Sequence, residues 1–403
     1  MPEIVAPAFT NAIALLLVSF LLLPAPTAAI LIPTDYLALQ SIRKSLYDLP
    51  GSFYFASWDF TADPCTFPGV LCRNDRVVAL ALGDPRAGSP GLSGQLSPAL
   101  GRLPALAELS LVPGRVSGAI PSSISLCSSL RFLALSRNML SGTIPPSIAS
   151  LAHLRVIDIG YNFLSGTIPP LLTRLPSLST LILSGNRLTG PIPTFAPNSP
   201  LVRLDLQRNR LSGPIPVSLP TSLHYLSLSF NQLSGRIDHI LPSLRRLTFL
   251  DLSSNSFSGP IPGSIFTLPI SSLRLQRNYF SGDLHPSVPV RIPYIDLSFN
   301  RLGGRVPAAL SDAEWLYLDY NRFIGEVPTV FVDRILKGEM RLLYLQHNFL
   351  TGMAIGPPSN VPMITSLCLQ YNCMVPPVQT ACPARAGLQK TRPAEQCPKW
   401  GKV

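Results

Sequence analysis

Large aliphatic residues recur along the chain in a frame of about 23 residues, and within each copy apolar and polar positions alternate over a short stretch. A clear copy runs from Leu130 to Pro145 as Leu-x-x-Leu-x-Leu-x-x-Asn-x-Leu-Ser-Gly-x-Ile-Pro. The x-Leu-x-Leu-x part has a period of two, which predicts a short β-strand with its leucines facing inward. Further copies begin at Leu106, Leu154, Leu178, Leu201, Leu223, Leu247, Ile270, Ile292, Ala313, Met340 and Ile364, after a degenerate first copy at Val77.

One such strand cannot bury its apolar face alone, so the repeats must stack and shelter one another's leucines. Stacked coils give a continuous core and a parallel β-sheet with one strand per coil. The asparagine of the frame can bond backbone groups where the chain turns inward after the strand. The glycine, Gly142 in the copy above, supplies freedom in φ, and the Ile-Pro that follows fixes an extended segment that cannot continue a helix.

The first 29 residues predict a secretory signal peptide. The run from Ala12 to Leu23 is apolar, and Thr27-Ala28-Ala29 supplies small residues for cleavage. The run is too short for a comfortable membrane span, although a basic segment before it is missing and a buried N-terminal helix is the alternative. No later stretch is apolar enough to cross a bilayer, so we expect a mature chain without a transmembrane segment.

Composition supports a packed chain with short elements. Charged residues are 13% and apolar residues 46% of the 403 positions, which excludes a disordered solvating chain. The 43 prolines and 27 glycines argue against long helices. The net charge of +11 becomes +12 once Glu3 is removed with the signal segment, which favours acidic partners.

The Leu-Ser-Gly-x-Ile-Pro tail of the repeat resembles the plant-type extracellular leucine-rich repeats of receptor-like proteins, receptor-like kinase ectodomains and polygalacturonase-inhibiting proteins. The resemblance implies an α/β-type solenoid: a right-handed, curved leucine-rich-repeat superhelix with a concave parallel β-sheet, about 13 repeats and disulfide-stapled caps. The amphipathic stretch from Asp35 to Leu46, Trp58 and the Cys65 to Cys72 segment resemble the family's N-terminal cap. We expect a signal peptide at 1–29, the N-terminal cap at 30–76, the repeats at 77–372 and a C-terminal cap and tail at 373–403.

The resemblance also bears on the seven cysteines. It implies a bridge between Cys65 and Cys72, in which Trp58 packs beneath the pair, and a buried free thiol at Cys127. Four cysteines remain near the C-terminus, and three pairings of them exist. The family-like choice is Cys373 with Cys382, which leaves Cys368 with Cys397; a zinc site is the less favoured alternative.

The frame also identifies the side chains that point away from the core of the sheet. Three positions per coil are exposed: the residue before the middle leucine, the residue after it and the residue before the asparagine. Aromatic residues and arginines, the types enriched in binding hot spots, crowd these positions in the C-terminal half. The predicted ligand-binding residues are Arg203, Arg208, Tyr225, Phe230, Phe249, Arg274, Arg277, Tyr294, Phe299, Trp315, Tyr317, Tyr320 and Tyr344.

The exposed positions also allow interpretations that involve no ligand and no catalysis. The aromatic residues could simply stack along a solvated sheet with no ligand. The aspartates Asp158, Asp205, Asp251 and Asp296 are expected to be solvated and paired with arginines rather than catalytic, because no base or nucleophile accompanies them.

The sequence indicates a binding protein rather than an enzyme. It has no kinase motif set and no phosphate-cradling loop, and we expect no cofactor. The histidines His153, His224, His239, His285 and His347 show no metal-ligand spacing, so we expect no metal site.

The function that we predict is secreted recognition of an extracellular protein or peptide through the concave face, in cell-wall or apoplast signalling or defence. A receptor kinase or a wall-degrading enzyme is a candidate partner, and nucleic acid is excluded by compartment. The alternatives are a polygalacturonase-inhibitor-like protein and a wall-associated structural protein that binds acidic polysaccharide. The chain is longer than the inhibitors it resembles, and its tail from Thr391 to Cys397 weakly resembles the end of the repeat domain in leucine-rich-repeat extensins. No Asn-x-Ser/Thr glycosylation sequon occurs.

Overall fold

A computed structural model of the chain describes residues 31–83, 91–238, 240–355, 361–378 and 380–397. The signal peptide predicted at 1–29 and His239 lie outside the described residues. Among the described helices, none combines the length and the apolar character that crossing a membrane requires.

The architecture is a solenoid whose coils each contribute one strand to a main sheet of 14 strands. Only the first pair is antiparallel; each later strand runs parallel to the one before it. In spatial order, the strands of the main sheet are β2 (Val70–Arg73), β3 (Arg76–Leu82), β5 (Glu108–Leu111), β7 (Phe132–Ala134), β9 (Val156–Asp158), β10 (Thr180–Ile182), β12 (Arg203–Asp205), β14 (Tyr225–Ser227), β16 (Phe249–Asp251), β18 (Ser272–Arg274), β20 (Tyr294–Asp296), β22 (Trp315–Tyr317), β24 (Leu342–Tyr344) and β26 (Ser366–Cys368).

A second strip of short strands follows the asparagine position of most coils, where the Leu-Ser-Gly segment runs beside its neighbours. The first group is β1 (Leu46–Asp48), β4 (Leu92–Gln95), β6 (Arg115–Ala119) and β8 (Met139–Ser141). Its first strand, β1, belongs to the N-terminal cap and is antiparallel to β4. The second group is β11 (Thr189–Gly190), β13 (Arg210–Gly213), β15 (Gln232–Gly235), β17 (Ser256–Gly259), β19 (Tyr279–Asp283) and β21 (Arg301–Gly303), and the last pair is β23 (Ile324–Val327) and β25 (Phe349–Met353).

Helices in the described residues are short, as the proline content predicts. Two are α-helices, α1 (Pro33–Ser45) and α2 (Thr329–Leu336). The others are single 3₁₀ turns at Tyr54–Ser57, Pro64–Thr66, Pro98–Arg102, Ser122–Leu126, Pro146–Ser150, Leu172–Arg174, Leu241–Ser243, Gly263–Thr267, Ala308–Leu310, Ala384–Ala386 and Ala394–Gln396.

The core lies between the two strips and is built from equivalent residues of successive coils. In the coil of β7, Leu133, Leu135, Leu140 and Ile144 are all at most 1% exposed. Neighbouring strands are in register, so that Leu204 of β12 lies beside Leu226 of β14. The leucines of one coil are therefore sheltered by those of the next, which confirms the stacking that the period predicts.

The N-terminal cap closes the first coil with an aromatic cluster. Trp58 is 5% exposed, stacks on Phe67 at a centroid distance of 5.2 Å and donates a hydrogen bond from Nε1 to the Pro68 carbonyl. Cys65 and Cys72, whose Cα atoms lie 5.6 Å apart, form a disulfide bond beside this cluster. The cap thus covers leucines that no preceding coil could shelter.

The pairing of the C-terminal cysteines differs from the one that the family resemblance implies. The structure joins Cys368 to Cys382 and Cys373 to Cys397, so the implied pairs Cys373–Cys382 and Cys368–Cys397 are wrong. The reason is the path of the tail: Thr380 donates a hydrogen bond to the Leu367 carbonyl and brings Cys382 to the end of β26. A bridge between Asn372 and Thr391 then leads the last residues back to Cys373.

Cys127 is a buried free thiol, as expected. Its Sγ lies 3.2 Å from the Leu100 carbonyl oxygen, and burial raises the pKa of the thiol to about 12. A thiol held neutral inside the core is unreactive, so Cys127 serves packing.

Candidate ligand-binding face

The exposed face of the main sheet carries three columns of side chains that run across the coils. The first column comprises the residues before each middle leucine, and strand pairing places Arg203, Tyr225, Phe249, Ser272 and Tyr294 beside one another in that order. The second column comprises the residues after that leucine. The third comprises the residues that precede the asparagines.

The third column has a backbone conformation that the sequence pattern does not reveal. Every residue of this column from Arg137 to Tyr371 has a positive φ, which is 55° at Arg208 and 54° at Phe299. Such left-handed geometry costs an L-residue roughly 1–2 kcal/mol, yet only Gly185 is a glycine. The bulky side chains are tolerated because the asparagine that follows fixes the turn through hydrogen bonds on both sides.

All thirteen residues predicted to bind ligand lie in these columns, and each is half-buried or exposed. They form one continuous surface, because the ring centroids of Tyr294 and Tyr317 lie 5.7 Å apart, and we divide it into a central group and a group near the C-terminal end. We call the first the central cluster (Arg203, Tyr225, Phe249, Arg274 and Tyr294) and the second the terminal cluster (Phe299, Tyr317, Tyr320, Tyr344 and His347). Arg208, Phe230 and Arg277 flank the central cluster in the third column, and Trp315 lies between the two groups in the first column.

The central cluster is a continuous stack of rings and guanidinium groups. The Arg203 guanidinium carbon lies 3.9 Å from the centroid of the Tyr225 ring, and the rings of Tyr225 and Phe249 stack at 4.5 Å. Arg274 spans the gap left by Ser272, because its guanidinium carbon lies 5.7 Å from the Phe249 ring and 5.0 Å from the Tyr294 ring. The cluster therefore offers a flat, amphipathic surface with its cationic groups held in place.

Carboxylates line the central cluster from the second column. Asp205 lies 3.6 Å from Arg203, and Asp251 and Asp296 each accept a hydrogen bond from the serine two residues later. The prediction that the aspartates are solvated is wrong for these three, which are 4%, 7% and 8% exposed, because the large first-column side chains cover them. Burial raises the pKa of Asp205 and Asp296 above its ordinary value.

Burial also affects the tyrosines of the face. It raises the pKa of Tyr294 to about 12, with the Asp296 carboxylate adding to the effect. The pKa of Tyr225 is raised in the same direction by burial and by Asp205. These hydroxyl groups therefore remain protonated and available as hydrogen-bond donors to a ligand.

The terminal cluster is stacked more tightly and is already in contact with another part of the chain. Tyr320 lies between Phe299 and His347, with centroid distances of 4.2 Å and 4.0 Å. Tyr317 and Tyr344 meet edge to face at 5.4 Å. His347 continues the stack but is absent from the residues predicted as ligand-binding, although its column position and aromatic ring could have marked it.

Beneath the terminal cluster lies Asp319, which sequence reasoning did not identify. It is fully buried, and its only ion pair within the described residues is with Arg385, at 3.3 Å. Burial raises its pKa to about 7, a shift that Arg385 opposes. A signal was present: the residue two before each asparagine is uncharged in every other coil of the frame from Ser136 to Gln370.

The described residues contain no group of three histidine, cysteine, aspartate or glutamate side chains that could hold a metal ion. The side chains of the face offer stacking, hydrogen bonding and ion pairing to a ligand.

Comparisons with known proteins agree with this architecture. Residues 32–73 match the leucine rich repeat N-terminal domain family and residues 128–188 a leucine rich repeat family. Residues 200–221, 222–244 and 246–268 match single leucine rich repeats.

One curated protein matches part of the sequence, and solved structures of different proteins share the fold. Receptor-like kinase TMK4 of Arabidopsis thaliana is 31% identical over 94 residues, which are 23% of this chain and 9% of that protein. The plant peptide hormone receptor RGFR1, solved in complex with RGF2, is 29% identical with a TM-score of 0.60 over 70% of this chain and 50% of that chain. A plant ice-binding protein is 26% identical with a TM-score of 0.56 over 83% of this chain and 99% of that chain.

The chain thus spans half of the hormone receptor's solved chain and less than a tenth of the curated relative. Because one fold serves a hormone receptor and an ice-binding protein, the ligand must be argued from the side chains of the face.

Proposed function

Because the chain is a leucine-rich-repeat protein of the plant extracellular type, we propose that it binds an extended peptide or protein segment along its concave sheet. The central cluster carries this proposal. Aromatic rings and arginines are the side chains that dominate binding energy at interfaces, and here they form one surface across consecutive coils. The hormone receptor RGFR1, which is bound to RGF2 in its solved structure, supports a peptide as the ligand class.

The dimensions of the central cluster define the length of segment that it accommodates. From β12 to β20 there are four strand spacings of about 4.8 Å, which gives a surface about 19 Å long. An extended peptide advances about 3.3 Å per residue, so about six ligand residues would cover the cluster. The half-buried Arg203 and Arg274 and the aspartates beside them favour a ligand that carries polar groups as well as aromatic or aliphatic ones.

We place this recognition outside the cell, in the apoplast or cell wall. The disulfide bonds favour an oxidising compartment, and the sequence predicts a signal peptide. We propose binding without catalysis, in signalling or defence, with a secreted peptide or a receptor kinase ectodomain as the partner class.

The decisive experiment selects displayed random peptides on the secreted protein and measures the selected peptides against variants. Replacement of Tyr225, Phe249, Tyr294 and Trp315 by alanine together should abolish binding, and Tyr225→Ala alone should weaken it roughly 30-fold, the loss typical of a hot-spot aromatic residue. Val217→Ala is the matched control, since Val217 is 72% exposed and lies outside the three columns.

Unfolding midpoints should remain nearly unchanged in all of these variants, because the replaced side chains lie outside the leucine core. Unaltered peptide binding by the fourfold variant would refute the proposal. A large fall in its unfolding midpoint would instead favour the alternative that the rings serve only to stack along the sheet.

A further inference from the structure

The C-terminal tail from Cys382 to Cys397 lies across the terminal cluster. Both of its ends are tied to the last coil, by Cys368–Cys382 and Cys373–Cys397. Between them, the carbonyl oxygen of Arg385 accepts a hydrogen bond from the Tyr320 hydroxyl, and that of Ala386 lies 3.0 Å from His347 Nε2.

The following residues continue this contact along the edge of the sheet. The backbone N–H of Tyr371 donates to the Lys390 carbonyl at 2.9 Å, and the Arg392 N–H donates to the Asn372 carbonyl at 2.8 Å. The tail is therefore a strap closed by two disulfides, and it covers the face from the coil of β22 to that of β26.

Besides Arg392, whose guanidinium group lies over the Tyr371 ring, the strap inserts Arg385 into the face. Its guanidinium group lies 3.3 Å from Asp319 Oδ2, and its central carbon lies 5.7 Å from the Phe299 ring and 5.9 Å from the Tyr344 ring. Asp319 is fully buried, and neither of its carboxylate oxygens accepts a hydrogen bond within the described residues. The cation that forms an ion pair with this buried carboxylate therefore comes from the tail, outside the repeat.

We propose that Asp319, Phe299 and Tyr344 form a guanidinium-binding subsite that Arg385 occupies in cis and that an arginine side chain of a ligand peptide occupies when the strap opens. This inference rests on the proposed function, because the subsite lies on the concave face that we propose as the ligand surface. The ligand class at the subsite is an arginine-containing peptide. The carboxylate supplies the ion pair, and the flanking rings supply faces on which a planar guanidinium group stacks.

Replacement of the Arg385 guanidinium group by that of a ligand arginine is the change at this subsite that costs the least free energy. Emptying the subsite would leave a buried charge without a partner, which is strongly unfavourable, whereas a second arginine restores both the ion pair and the ring contacts. Arg385 is able to leave, because its side chain is 41% exposed, and Leu388 further along the strap is fully exposed.

A direct test uses the tripeptide acetyl-Gly-Arg-Gly-amide as probe and the secreted full-length protein, with binding followed by NMR titration or calorimetry. Arg385→Ala vacates the subsite while both disulfides remain, so this variant should bind the tripeptide at least ten-fold more tightly than the unaltered protein. Lys390→Ala, in the same strap with an exposed side chain, is the matched control and should bind as the unaltered protein does.

Two further arms establish that the buried carboxylate recognises the guanidinium group. Adding Asp319→Asn to Arg385→Ala should remove the gained affinity, and a tripeptide with citrulline in place of arginine should not bind. The proposal is overturned if Arg385→Ala binds no more tightly than the unaltered protein, if citrulline serves equally, or if the double variant retains the affinity.

Tyr225→Ala should not alter tripeptide binding, since Tyr225 belongs to the central cluster. The two proposals can therefore fail independently: peptide selection tests the central cluster, and tripeptide binding tests the arginine subsite.

Discussion

The asparagines of the repeat satisfy the backbone where each strand ends. Asn162 is 4% exposed; its Oδ1 accepts from the Leu140 N–H at 2.9 Å, and its Nδ2 donates to the carbonyls of Leu135, Ile159 and Gly160. One amide thus links its own turn to the preceding coil. This network holds the left-handed residue that precedes it, and through that residue it aims the third column of side chains outward.

Replacement of Asn162 by alanine should lower the free energy of unfolding by about 3 kcal/mol. The reason is that several buried backbone groups lose their partner at once, at a cost of about 1–3 kcal/mol for each group left unsatisfied. Chemical denaturation measures the change. Asn198→Ala, at an exposed position outside the repeat frame, is the control and should stay within about 0.5 kcal/mol of the unaltered protein.

A loss below about 1 kcal/mol for Asn162→Ala would show that water replaces the amide in the turn, and the account of the third column would then need revision.

Among the elements, the tail shows how a segment without regular structure acquires a fixed position. Residues after Cys373 have no repeat frame, and their position follows from the Asn372–Thr391 bridge and from two disulfides. Sequence reasoning identified all four of these cysteines, but the pairing that the family resemblance implies is wrong. The pairing depends on which part of the tail returns to the last strand, and local sequence carries no information on that return.

Digestion of the unreduced, secreted protein should release a fragment that joins Cys368 to Cys382 and a second fragment that joins Cys373 to Cys397. Cys127 should be the only cysteine that alkylates after denaturation without reduction, because it is buried and unpaired in the folded chain. Mass spectrometry of the fragments identifies which cysteines are paired. Recovery of a Cys373–Cys382 fragment would contradict the path of the strap described above.

For the whole molecule, the distribution of buried carboxylates predicts how stability depends on pH. Burial holds the pKa of Asp319 at about 7, whereas the exposed group titrates near 3.8. Among the charged groups near Asp319, Arg385 and Arg277 lower this pKa and Asp296 raises it. The folded protein takes up this proton at a higher pH than the unfolded chain does, and therefore binds more protons between these two values.

The contribution of Asp319 to stability is consequently complete below about pH 3.8 and is lost as the pH rises through about 7. Asp319→Asn should remove this dependence, so the stability of the unaltered protein relative to the variant should fall from pH 4.5 to pH 8. Urea unfolding of both proteins across this range measures the difference between their free energies of unfolding. The contributions of the other titrating groups are common to both proteins and cancel in this difference. Asp333→Asn, at an exposed carboxylate on α2, controls for the loss of one negative charge.

A stability difference that stays constant with pH would show that Asp319 titrates near its ordinary value, and one that rises with pH would show that Arg385 holds its pKa below that value; either result would contradict the prediction.

The period of the chain determined the solenoid, the parallel sheet and the asparagine turns, because each of these follows from residues close together in one repeat and from the need to bury one apolar face. The same frame identified the side chains of the three columns, since strand alternation decides which residues face outward. Only the tertiary structure decided how those side chains group, because the centroid distance between Tyr225 and Phe249 depends on the register of separate coils. Likewise, the meeting of Asp319 with Arg385 spans 66 residues of chain, and no local pattern specifies where a disulfide-tethered tail returns to the sheet.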